Sequence, residues 1–178
     1  MIRVVVPEIA WADRRERILE FPDGWDVRLY PMRGFEAGKI GREELLKALN
    51  ETLPTSIRVN RLKASVEEVE SYLERKNVRF ERSERVDTVL RILDSFNPEW
   101  LFNKGLAIPQ EEASAVASLV LDPKPGETVV DLAAAPGGKT AHMAELMNNE
   151  SKIYAFDVDS GRIKRMKEVL KRAGVKIV

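Results

Sequence analysis

Ten residues, Asp131 to Thr140 (DLAAAPGGKT), stand between the apolar run Thr128-Val129-Val130 and a helical pattern. They read as a strand, a glycine-bearing turn and a helix start, the unit with which open α/β sheets hold the polar end of a nucleotide-like ligand. A helix from about Thr140 to Met147, a strand over Lys152 to Asp157, a helix over Ser160 to Ala173 and a new strand from Val175 continue the alternation. Strands and helices in turn specify a parallel sheet with right-handed crossovers. The ligand crevice of such a sheet lies at the carboxyl ends of its strands. The chain stops at Val178, before the remaining strands expected of that sheet, which predicts an unpaired edge on the glycine-loop strand.

Upstream, Ser56 to Asn60 reads as a strand, and Ser65 caps a helix running to about Lys76, with Glu68 completing a capping box and Val66, Val69 and Leu73 forming its apolar stripe. Val78 to Glu81 and Thr88 to Leu93 supply further strands, so residues 53–108 form a small α+β unit ending near the break at Asn97-Pro98. A helix from Gln110 to about Leu121, with Ala113, Val116, Ala117 and Val120 as its apolar positions, opens the α/β region, residues 109–178. Residues 1–52 read as β-rich, with strands at Ile2 to Val6, Arg17 to Phe21 and Asp26 to Tyr30, and a short helix from about Arg42 to Asn50.

The glycine turn discriminates among ligands. A phosphate-binding P-loop needs G-x-x-x-x-G-K-[ST]; Gly138-Lys139-Thr140 fits, but the leading position is Ala133. A dinucleotide fingerprint needs G-x-G-x-x-G, and only the pair Gly137-Gly138 is present. A turn with fewer glycines suits an adenosine ligand without a pyrophosphate, of which S-adenosylmethionine (SAM) is the common one. Asp157 ends the second strand about 20 residues past the turn, where an acidic residue takes up ribose hydroxyls in such folds. A helix N-cap or a loop carboxylate is the competing reading of Asp157 alone.

Composition narrows the rest. No apolar stretch approaches the ~20 residues of a membrane helix and no basic-then-apolar leader opens the chain, so the expectation is cytoplasmic. Lys+Arg and Asp+Glu balance at 29 each, which leaves nucleic acid open. There is no cysteine, hence no disulfide, no cysteine-ligated metal and no thiol nucleophile. His142, the only histidine, has no catalytic or metal-ligating partner at useful spacing and reads as structural or solvent-facing; no metal is expected. Trp11, Trp25 and Trp100 are scattered and read as core or interface anchors.

Asp131 to Thr140 resembles the SAM-binding motif of the Nol1/Nop2/Sun family of RNA cytosine carbon-5 methyltransferases, commonly written with Cys where this chain has Ala133. Pro54-Thr55-Ser56-Ile57-Arg58-Val59-Asn60 with Leu62-Lys63 resembles the strand opening that family's RNA-recognition-like subdomain. Pro109-Gln110-Glu111-Glu112-Ala113-Ser114 resembles its lead-in helix, and Ala155-Phe156-Asp157 with Arg162 its second SAM motif. The resemblance covers residues 53–178. It implies an α/β fold: a truncated Rossmann-like SAM-binding sheet behind an RNA-recognition-like α+β unit and an N-terminal β-rich segment. It also implies S-adenosyl-L-methionine as cofactor and tRNA or rRNA as partner. Ala133, Ala134, Ala135, Pro136, Gly137, Gly138 and Lys139 would line the SAM site, and Asp157 would hold the ribose. Arg58 and Lys63, with Arg61, would contact RNA phosphates. The basic last helix, with Arg162, Lys164, Arg165, Lys167, Lys171 and Arg172, reads first as a solvated face.

Chemistry in that family runs through two cysteines. One adds to cytosine carbon-6 so that carbon-5 can take the methyl group, and the other, in a Pro-Cys motif, helps break the adduct. A soft nucleophile available near neutral pH is needed, and Ser or Lys would substitute poorly. Without cysteine this chain is expected to be an inactive piece of such an enzyme. The alternatives are a non-catalytic RNA-binding module, or a truncated or fused chain with no activity of its own. Val6 to Trp11 and Phe21 to Val27 resemble the N-terminal β-segment of the lactate racemase (nickel-pincer) family, from which no functional residue carries over. A junction of two fragments near Glu51 to Pro54 and an unusual small domain preceding a family member both remain open.

Overall fold

The computed structural model describes residues 2–5 and 55–178. The strands and helix expected between residues 6 and 54, with Trp11 and Trp25, lie outside the described residues. So does the suspected junction.

Two sheets organise the described residues. The first is built from β2 (Thr55–Val59), β3 (Phe80–Arg82), β4 (Val89–Ile92) and β5 (Ala107–Pro109), with helices α1 (Val66–Arg75) and α2 (Glu99–Lys104) between strands. Its order is β3-β4-β2-β5 and every pairing is antiparallel, the split β-α-β-β-α-β arrangement of a ferredoxin-like unit. Ile57 and Val59 point from β2 to one face, where they pack with Leu90, Ile92, Val69, Leu73 and Leu101. Successive strand residues alternate between faces, so Ser56 and Arg58 point the other way. Both are buried too, because the second unit covers that face.

That second unit holds α3 (Glu112–Leu121), β6 (Thr128–Asp131), α4 (Gly138–Leu146), β7 (Lys152–Ala155) and α5 (Ser160–Ala173). β6 and β7 are parallel, with Thr128 opposite Lys152 and Asp131 opposite Ala155. Val129 and Ile153 pack against Met143, Ala144 and Met147. Ile108 of β5 shares a second cluster with Ala134, Ala141, Met166 and Leu170, so one apolar seam runs between the units.

The glycine-loop strand has no bare edge. β1 (Ile2–Val5) lies parallel to β6, Ile2 opposite Thr128 and Val5 opposite Asp131, giving the order β1-β6-β7. The expectation of an unpaired edge considered only strands nearby in sequence, and is corrected here. Near Val178 the chain forms no assigned strand, although the Ile153 amide donates to the Ile177 carbonyl at 2.7 Å.

Several local readings meet the structure directly. Ser65 caps α1: its hydroxyl accepts from the Glu68 amide at 3.1 Å, and the Glu68 carboxylate accepts from the Ser65 amide at 2.7 Å. Such a cap contributes about 1 kcal/mol. On α3 the buried positions are Ala115 and Ser118, whereas Val120 is exposed. The apolar stripe drawn from Ala113 to Val120 is therefore rotated from the face that α3 turns to α4.

A glycine-loop site and the buried junction behind it

At the carboxyl end of β6 the chain folds back on itself. The Ala134 amide donates to the Phe156 carbonyl at 2.9 Å, the Phe156 amide to the Asp131 carbonyl at 2.8 Å, and the Gly137 amide to the Ala134 carbonyl at 2.7 Å. Asp131 is 1% exposed. Its carboxylate accepts from the Thr140 hydroxyl at 2.7 Å and from the Ala133 amide at 3.2 Å, fixing both ends of the turn. Burial pushes the Asp131 carboxyl above its usual range, and those two donors pull against it. The sequence reading began the site at Ala133 and so passed over this Asp131–Thr140 pair, although both residues stand in the motif.

Asp157 meets the turn from the neighbouring strand. Its carboxylate accepts from the Ala135 amide at 3.2 Å and from the Asp159 amide at 3.1 Å, with Arg162 3.7 Å away. The Asp159 amide first, then the Ala135 amide and the Arg162 charge, hold the Asp157 carboxyl below its ordinary value. Arg162 also donates to the Ala135 carbonyl at 2.6 Å. Asp157, Arg162 and the alanine turn are thus one hydrogen-bonded unit. The Asp157 side chain is only 3% exposed, while Phe156 and Val158 on either side of it stand in solvent.

Gly137 serves packing directly, whereas the space at Gly138 is open enough for a Cβ. Gly137 has φ +105°, a conformation that strains any side chain, and a Cβ there would stand 3.0 Å from Met166 on α5, which would have to give way. A Cβ on Gly138 would meet the Gln110 amide at 3.6 Å. Gly137 opens α4 with no side-chain cap, leaving the first-turn amides of a helix N-terminus for other acceptors. Pro136 is exposed; Ala133 and Lys139 are half-buried.

Behind the loop sits a polar junction that sequence reasoning missed. Arg58 is 0% exposed. Its guanidinium donates to Gln110 at 2.6 Å and to both Glu145 carboxylate oxygens at 2.6 and 2.5 Å. The assignment of Arg58 to RNA phosphate is therefore corrected: the guanidinium is enclosed and engaged by a carboxylate. Burial raises the Glu145 carboxyl, and Arg58 opposes that shift. Asn60 bridges the units as well, donating to the carbonyls of Gly105 at 2.7 Å and Ala173 at 2.8 Å. His142 lies in the same region, 3% exposed, its pKa lowered to about 3 by burial and then by the Arg58 charge. It stays neutral and structural. Lys63, by contrast, is exposed and donates to the Lys104 carbonyl at 3.1 Å.

Among the described residues no helix is long and apolar enough to cross a membrane. Among the same described residues, no group of three or more His, Cys, Asp or Glu is placed to hold a metal.

Comparison with known proteins follows this division into units. Residues 118–178 match the family model described as 16S rRNA methyltransferase RsmB/F, and residues 41–99 match the ferredoxin-like domain of the RsmF/B-like methyltransferases. The chain is 33% identical over 147 residues to the probable ribosomal RNA small subunit methyltransferase B of Bacillus subtilis, an alignment covering 82% of this chain and 32% of that protein. It is 38% identical over 140 residues to the tRNA (cytosine(49)-C(5))-methyltransferase of Pyrococcus abyssi, covering 76% of this chain and 44% of that protein. The solved structure of a methyltransferase homologue from Pyrococcus horikoshii superposes with a TM-score of 0.70 at 41% identity, covering 74% of this chain and 44% of that one. The chain thus spans 32–44% of the length of these relatives. With its glycine turn and second-strand aspartate inside one match and β2, β3, β4 and α1 of its ferredoxin-like unit inside the other, the chain belongs to the Nol1/Nop2/Sun family of RNA cytosine carbon-5 methyltransferases.

Proposed function

We propose that this chain is the methyl-donor-binding and RNA-positioning portion of an RNA cytosine carbon-5 methyltransferase acting on tRNA or rRNA. In this reading the turn Ala133 to Lys139 holds SAM, and Asp157 holds its ribose. The supporting observation is the Asp157–Ala135 hydrogen bond of 3.2 Å, which sets the carboxylate of the neighbouring strand against the glycine turn.

SAM supplies an electrophilic methyl group on a sulfonium. The residues of this chain bind and orient it. The uncapped first turn of α4 offers amides to the amino-acid carboxylate of the ligand. Phe156 and Val158, exposed on either side of Asp157, give the base an apolar surface. Ribose hydroxyls compete with the Ala135 and Asp159 amides for the Asp157 carboxylate, which links ligand binding to the conformation of the turn. Having no cysteine, the chain supplies no thiol for attack on cytosine and by itself transfers no methyl group.

Equilibrium titration with SAM tests the site. Asp157→Ala is expected to weaken binding at least roughly ten-fold, the scale of one charge-assisted hydrogen bond, and Asp157→Asn by less. Equal affinities for wild type and both variants would refute the assignment.

A further inference from the structure

Trp100 is the surface feature that neither the fold nor the SAM site explains. Its indole lies against the Tyr72 ring with centroids 4.6 Å apart and planes 12° from parallel, yet 47% of the residue is exposed. The pair borders a cleft of about 180 Å³ whose charged lining is Lys63, Glu68 and Arg75. Pockets for drug-sized ligands run to roughly 300–1,000 Å³, so this one has the scale of a single ring system.

We infer that this cleft binds one unpaired RNA base, stacked on the open surface of Trp100, with Lys63 and Arg75 contacting the adjoining phosphates. The inference rests on the RNA reading above and names a place on the ferredoxin-like unit where it acts. Three observations favour a nucleotide. A flat π-surface held in place by a parallel neighbour is preorganised for stacking, the sequence-tolerant interaction by which single strands are gripped. The two cations, Lys63 and Arg75, line the same cleft as Trp100. The single acid of the lining, Glu68, is turned to the α1 N-terminus, where its carboxylate accepts from the Ser65 amide. Bases in a duplex are covered by their neighbours, so only an unpaired one presents a face. Trp100, scattered from the other tryptophans in sequence and read there as a core or interface anchor, acquires its stacking partner only through the packing of α2 on α1.

The test uses the whole chain and two strands: a fluorescein-labelled oligocytidine RNA, and an abasic ribose-phosphate strand of equal length. Trp100→Leu keeps bulk but removes the π-face, and Trp100→Phe restores one. By anisotropy, the Leu variant should bind oligocytidine roughly ten-fold more weakly than wild type, in the range of one base–aromatic stack. The Phe variant should recover most of that loss, and neither should change on the abasic strand. Lys63→Glu should weaken both strands alike, more so at low salt. Equal binding of oligocytidine by wild type and the Leu variant overturns the inference; it is also the result expected if a protein segment, residues 6–54 of this chain included, covers Trp100 instead. Equal losses on both strands overturn it too, since they report a disturbed fold. If wild type binds neither strand, the RNA reading falls with it. SAM affinity of the Leu variant, expected to match wild type, keeps the methyl-donor site separately testable.

Discussion

Arg58 shows how far one side chain's meaning depends on what lies behind it. In the sequence it alternates with Ile57 and Val59, so if the latter face a core, Arg58 faces outward. The outward face of β2 is nonetheless an interior one, and the arginine's solvent is replaced by Glu145 and Gln110. Arg58→Ala would leave a buried carboxylate unpaired, for which the expected cost is about 3–5 kcal/mol, measured as a shift in urea midpoint. Pairing Arg58→Met with Glu145→Leu should recover most of that loss, because no lone charge remains. His142 adds a pH signature. Its pKa is about 3 in the folded chain against an ordinary 6.5, so between those values the unfolded state binds a proton that the folded state refuses. Stability carried by His142 is then complete above pH 6.5 and declines as pH falls. Relative to His142→Leu, wild type should lose up to about 1.4 kcal/mol per pH unit in that window. Asp131 and Glu145, whose carboxyls are raised, act in the opposite sense in both proteins, so the difference isolates the imidazole. A flat difference between the two pH curves would mean that the ring is solvated after all.

Elements were legible where their signals are local. The Ser65 and Glu68 pair announces α1 because both capping hydrogen bonds span three residues, and α5 has the bounds its apolar spacing implies, Ser160–Ala173. α2 and β5 were not legible. The former is six residues long and starts at Pro98 with no side-chain cap; the latter is three residues held by antiparallel register to β2. Neither is long enough for a periodicity to appear, and each owes its form to partners distant in sequence. The glycine turn lies between these cases. Its place between strand and helix was readable, as was the proximity of Asp157. The Met166 side chain that the missing Cβ of Gly137 makes room for was not, because that contact forms only when α5 closes on the loop.

The described residues form two small sheets joined through buried polar groups and one apolar seam, with the second sheet completed by Ile2–Val5 from the far end of the chain. Removing residues 1–5 uncovers one edge of β6. The expected result is faster amide hydrogen exchange in β6, by roughly ten-fold or more, with β2 and β4 unaffected; unchanged exchange in β6 would show that the strand holds without this neighbour. The pairing of β1 with β6 also orders events during biosynthesis. Ile2-Arg3-Val4-Val5 leaves the ribosome long before Thr128 to Asp131 exist, so for most of translation this β-branched ribbon has no native mate. A nascent chain in that condition is one that a chaperone, or another copy of the same ribbon, reaches first.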